Sequence, residues 1–132
     1  MIKRLLNCFI CFILVCSLEA APVSLQRATA VANSFLTTQS SVAGPKRVPA
    51  RPRLASSSDS QSKYFVFENE AGGFVIVAGD DVAYPILGYS NDANINASNI
   101  PSSVKAWLDS YALEIQTAVD SGAVQSEVWA GK

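Results

Sequence analysis

Few side chains in this sequence are placed to do chemistry. Asp80 and Asp81 are its only adjacent carboxylates. Such a pair could share acid–base work or hold a hard cation such as calcium. Neighbouring residues in a turn diverge, however, and aspartate is a common turn former, so the pair reads as structural. Asp92, Asn94 and Asn96 alternate like the opening of a calcium loop, but the glycine and the distal glutamate of an EF-hand are missing. Gly72-Gly73 is not followed by Gly-Lys-Ser/Thr, which makes it a hairpin connection rather than a phosphate loop. There is no histidine, and the three cysteines are Cys8, Cys11 and Cys16. Beyond residue 16 the chain therefore lacks the parts of a Cys-His pair, a Ser-His-Asp triad or a histidine- or cysteine-based zinc site. The remaining Asp, Ser and Tyr residues form no recognisable constellation. The expectation is a protein that is not an enzyme and that needs no cofactor or metal.

Residues 1–20 read as a signal peptide. Lys3 and Arg4 precede an apolar run from Leu5 to Leu18, interrupted only by Asn7 and Ser17, and Leu18-Glu19-Ala20 offers a cleavage site ahead of Ala21. The run is shorter than the ~20 residues of a spanning helix, so no membrane span is expected. All three cysteines fall inside it. Ile13-Leu14-Val15-Cys16 loosely resembles a lipobox, although Val15 is larger than the residue expected before a lipidated cysteine, which favours simple export over a lipid anchor at Cys16. The expected location is periplasmic or extracellular, in a bacterium. Removing residues 1–20 leaves 112 residues, one modest domain held by its core without disulfides. Taking Lys3, Arg4 and Glu19 from ten basic and eleven acidic residues leaves eight and ten, a net charge of −2. That balance argues against nucleic-acid binding.

The elements follow from periodicity. Leu25, Ala28, Val31, Ala32, Phe35 and Leu36 recur at three- and four-residue spacing, which predicts a helix over Ser24 to Thr37 capped by Ser24. From Val42 to Ser62 the prolines Pro45, Pro49 and Pro52, the cations Lys46, Arg47, Arg51 and Arg53 and a serine run indicate a flexible surface loop. Lys63–Asn69, Phe74–Ala78 and Ile86–Tyr89 read as three strands joined by short links, an antiparallel meander. A second helix is predicted from Ser102 to about Ser121, with Pro101 at its start and Gly122 as its cap. Its apolar stripe contains Val104, Trp107, Leu108, Tyr111, Ile115, Ala118 and Val119. If that stripe covers the sheet, truncating Trp107 to alanine should cost about 3–5 kcal/mol. Residues 123–132 look like a tail in which Trp129 can tuck back. The fold class is thus α+β, a small meander sheet packed against an N-terminal and a C-terminal helix.

Gly73-Phe74-Val75-Ile76-Val77-Ala78-Gly79-Asp80 and Ile86-Leu87-Gly88-Tyr89-Ser90 make a fairly specific pair of motifs. Together with Ala21-Pro22-Val23, the helix bearing Ala28, Ala32 and Phe35-Leu36, Tyr64-Phe65-Val66-Phe67, Asn99-Ile100-Pro101 and the helix of Trp107-Leu108 and Tyr111, they span most of the chain after residue 20. In that order the segments resemble the pro-domain of streptopain-type bacterial cysteine proteases and the small free-standing Spi-like inhibitors related to it.

The resemblance implies an α+β domain that docks on a streptopain-type cysteine protease and occludes its cleft. It also implies that an asparagine ahead of the last helix interferes with the catalytic arrangement. The matching position is Asn99, followed by Ile100-Pro101, with Asn96 and Ser98 as contacts by proximity. A short amide can hydrogen-bond in a substrate cleft without presenting a scissile bond, and Pro101 would reduce the ordering cost of the loop. The alternative role for Asn99 is to cap the last helix. Two further readings stay open for the chain: the leading portion of a protease zymogen, which would stop near Lys132, and a secreted binding module directed elsewhere.

Overall fold

The computed structural model describes residues 19–42, 52–57, 63–70, 72–95 and 100–130. Residues 1–18 of the expected leader (1–20), most of the expected loop (43–51 and 58–62) and residues 96–99 lie outside the described residues. The elements run α1 (Leu25–Val42), β1 (Pro52–Ser57), β2 (Tyr64–Asn69), β3 (Phe74–Ala78), β4 (Ile86–Ser90), α2 (Ser102–Asp120) and a short 3₁₀ turn (Glu127–Ala130). The four strands pair antiparallel in the order β1-β2-β3-β4, so the expected meander is present with one strand more than the sequence suggested.

Alternation along the central strands decides the layering. Phe65 pairs with Val77 and Phe67 with Val75, and these four side chains form one core with Ala28, Ala32 and Leu36 of α1. The intervening Val66 and Ile76 pair with each other and form a second core with Tyr64, Ile95 and Leu108 of α2. The sheet is therefore covered on both faces, one helix to each, because successive side chains of a strand point to opposite sides. Alanines at 28 and 32, both fully buried, let the α1 backbone approach the sheet closely.

α1 begins as expected, with the Ser24 hydroxyl accepting from the Arg27 amide at 3.2 Å, but it runs five residues beyond Thr37. The extension has few apolar residues. Hydroxyls that bond back one turn are compatible with helix there, as Thr38 does to the Ser34 carbonyl at 2.9 Å.

The expected loop over 42–62 is corrected at Pro52–Ser57, which forms the edge strand β1. Its register pairs Leu54 with Phe67 and shifts before Ser56 pairs with Val66. A proline at the first residue of an edge strand is tolerated because no ladder bond need come from its nitrogen, and that placement hid the strand from a composition-based reading. In the stretch expected as a C-terminal tail, Trp129 does tuck back, and residues 127–130 form a short 3₁₀ turn. Trp129 donates from its indole Nε1 to the Ala83 carbonyl at 2.8 Å and lies under the Arg27 guanidinium, 4.5 Å from the ring centroid.

The α2 stripe faces inward as expected at Val104, Leu108, Tyr111, Ile115, Ala118 and Val119, all buried or half-buried, and departs from the expectation at Trp107. Leu108, not Trp107, is the buried residue (1% exposed against 39%). Trp107 lies across Gly88, where a Cβ would come within 2.6 Å of the indole, and stands edge-on to Tyr111 with centroids 4.9 Å apart. The large truncation cost expected of Trp107 therefore belongs to Leu108, where it is about 2–5 kcal/mol.

Candidate functional site

The segment leading into α2 is the expected contact site, and the structure places its two ends. Ile95 is buried in the core shared by the sheet and α2, and Ile100 packs against the same core. Residues 96–99 join these two anchors in sequence. Asn96, Ser98 and Asn99 lie outside the described residues, whereas Ile100 is half-buried and Pro101 exposed. The N-cap of α2 is Pro101 (φ −53°, ψ 142°), without a side-chain hydrogen bond to the first turn. The N-cap position itself thus belongs to Pro101, while the alternative of a capping role for Asn99 falls on a residue outside the described ones. Proline fixes φ near −65°, which sets the direction in which the chain enters the helix.

A polar cluster follows immediately on α2. The Lys105 ammonium donates to the Asp109 carboxylate at 2.7 Å, and that bond raises the pKa of Lys105. Burial pushes the Tyr64 phenol above its ordinary value, the nearby Asp109 charge adds to the shift, and Lys105 opposes it. Tyr64 therefore stays a neutral phenol at neutral pH, unsuited to act as a base. Elsewhere, the second half of α2 and the β3–β4 connection enclose an open apolar groove of about 440 Å³ lined by Tyr84, Ile86, Leu87, Tyr111 and Ile115 among others. Neither Ile100 nor Pro101 lines it.

The adjacent carboxylates do not converge. The Asp80 side chain accepts from the Val82 amide at 3.0 Å, closing its own turn. Asp81 turns the other way and accepts from the backbone nitrogen of Ala21 and from Gln125, each at 2.6 Å. Both aspartates are buried, and each is engaged in holding the chain. Sequence reasoning placed them in a turn but missed that Asp81 ties the start of the domain to its end. Nothing in local sequence marks that role, since its partners lie sixty and forty-four positions away. Asp92 accepts from the Ser90 hydroxyl at 3.0 Å, an ordinary turn contact. Among the described residues there is no group of three or more His, Cys, Asp or Glu side chains that could hold a metal ion, and no helix long and apolar enough to cross a membrane.

Comparison with known proteins adds a family match. A family described as Spi protease inhibitor matches residues 20–115. The chain is also 26% identical over 109 residues to a thiol protease/hemagglutinin, PrtT, of Porphyromonas gingivalis, an alignment covering 80% of this chain and 13% of that protein. No solved structure matches significantly.

Proposed function

The chain belongs to the Spi protease inhibitor family, and from this premise we infer that it is an exported inhibitor of a streptopain-type cysteine protease, docking on the enzyme and occluding its cleft. The observation that carries the reading is the pair of anchors around residues 96–99. Ile95 and Ile100 are held in one core, so the ends of a four-residue segment are fixed by the domain before any partner arrives. Fixing the ends in advance lowers the ordering cost of binding. Asn99 supplies the amide that engages the cleft, with Asn96, Ser98, Ile100 and Pro101 around it.

The test is to titrate the protein exported from the full chain against a streptopain-type protease. Stoichiometric loss of peptidase activity is the expected result. Asn99→Ala should weaken inhibition by about tenfold or more, as removal of a central polar contact does, with the denaturant midpoint unchanged. Unaltered potency would take Asn99 out of the mechanism. No inhibition at all would favour a secreted binding module.

A second reading, the pro-domain of a larger protease, is favoured by the match to a thiol protease/hemagglutinin of which the chain spans only 13%. The size of the species in source cells separates the two. A free form with the mass of residues 21–132 supports the inhibitor, and a larger form carrying a catalytic domain supports the pro-domain.

A further inference from the structure

Asp81 is 2% exposed, and its surroundings are unusual for a turn residue. One carboxylate oxygen accepts from the Ala21 nitrogen at 2.6 Å. The other accepts from Gln125 Nε2 at 2.6 Å, with Arg27 Nη1 3.5 Å away. The Asp81 amide donates back to the Ala21 carbonyl at 3.0 Å, and the Asp81 carbonyl accepts from the Ser126 amide at 2.7 Å. Ala21 is thus gripped by both the side chain and the main chain of one buried residue. Cation is scarce there: Arg27, reaching over from α1, is itself 39% exposed and near only the far oxygen. Neighbouring Asp80 is occupied with the Val82 amide.

The expected leader cleavage falls between Ala20 and Ala21. The atom resting on the buried carboxylate is therefore the one whose charge that cleavage changes. We propose that the Asp81 pocket is the seat of the mature amino terminus. A leader peptidase adds water across the Ala20–Ala21 amide. The water oxygen joins the Ala20 carbonyl carbon, the C–N bond breaks, Ala20 departs as a carboxylate, and both water protons end on the Ala21 nitrogen, which becomes an ammonium. A neutral donor to Asp81 is replaced by a cationic one, and charge-assisted hydrogen bonds are roughly twice as strong as neutral ones. The described contact given up with residues 19 and 20 is the isolated bridge of Glu19 to Val124. Processing thereby completes the fold, fastening the N-terminus to the Asp80–Asp81 turn and to the Gln125–Ser126 stretch. This inference does not depend on the inhibitor reading.

The experiment exports the full chain from a bacterial host and reads the N-terminus of the product by mass spectrometry. Ala21 is the expected first residue. The folded product is then acylated at its α-amine near neutral pH and the rate read at Ala21. An ammonium held by a carboxylate deprotonates at higher pH than the ordinary amine value near 8, and each unit of that shift slows labelling ~tenfold. Asp81→Asn is expected to restore the fast rate. A chain with Gly-Ser inserted between Ala20 and Ala21, which leaves Asp81 intact but carries the amine out of the pocket, should label at the fast rate too, so the comparison survives if Asp81→Asn fails to fold. Equal rates in the wild-type and inserted chains would overturn the proposal. So would a product that begins at any other residue, including a lipidated Cys16.

Discussion

At the scale of single residues, two glycines and one tyrosine give the sharpest expectations. Gly72 and Gly73 close the β2–β3 hairpin with φ of +102° and +89°, a region L side chains avoid. They differ in their surroundings. A Cβ on Gly72 meets open space, whereas one on Gly73 would come within 2.5 Å of the Ser90 carbonyl oxygen. Gly72→Ala should therefore cost about 1 kcal/mol, from backbone strain alone, and Gly73→Ala about 3 kcal/mol or more, with guanidinium midpoints as the measure. Equal costs would mean that the hairpin relaxes around the added carbon. Tyr64 predicts a pH effect. Its folded pKa is raised, chiefly by burial, while the unfolded phenol ionises near pH 10. Up to that pH both states keep the proton and stability is unaffected. Above it the unfolded state loses the proton first, so stability falls as pH rises toward the folded value. Tyr64→Phe should flatten that fall in a series of denaturation curves above pH 10. Lys105, raised by its bond to Asp109, contributes in the same direction and would remain in the variant.

At the scale of elements, the two helices differ in how they meet the sheet, and the difference sets what each tolerates. α1 presses small residues, Ala28 and Ala32, against β2 and β3, so enlarging either would force the helix away from the strands. α2 inserts one large residue, Leu108, among Tyr64, Val66 and Ile76. Leu108→Ala should cost 2–5 kcal/mol, typical of a fully buried leucine. Trp107→Ala should cost clearly less, since the indole lies over Gly88 with a good part of its surface in water. Thermal or urea unfolding of the two variants checks the ranking, and a reversed order would mean that the helix is rotated by a residue. Much of this level was legible. Both helices, three of the four strands and the hairpin glycines follow from periodicity and turn chemistry. The shallow position of Trp107 was not, because Trp107 and Leu108 are neighbours on one stripe, and hydrophobicity alone cannot say which of the two lies deeper in the core.

At the scale of the whole molecule, distant segments converge on the Asp80–Asp81 turn. Pro22 forms a bridge with Asp80, Val23 donates to the Gly79 carbonyl at 2.8 Å, and Gln125, Ser126 and Trp129 close over the other side. The family match ends at residue 115, yet these later residues cover part of the α1-side core through Trp129. Deleting residues 125–132 should therefore destabilise the domain by about 3 kcal/mol or more, through loss of a packed tryptophan and of a hydrogen bond to a buried carboxylate. Calorimetry of the shortened chain tests this, and an unchanged melting temperature would return the segment to the status of a tail. The same level governs the candidate site. Its residues were found through resemblance, and the structure adds the anchors Ile95 and Ile100 that hold the segment's ends.

The α+β class, the lack of histidine and of cysteine beyond residue 16, and the family resemblance can all be read from the order of the amino acids. Those depend on residue type, on periods of 2 and 3.6, and on motif order, all of which are local and survive without coordinates. Tertiary structure alone decided that the sheet is covered on both faces, that Pro52–Ser57 pairs as an edge strand, and that Asp81 grips Ala21. A strand that reads Pro-Arg-Leu-Ala-Ser-Ser carries little hydrophobic signal of its own and is defined by the neighbour it pairs with. A contact sixty residues apart in sequence leaves no local trace, because what brings its two ends together is the packing of everything between them.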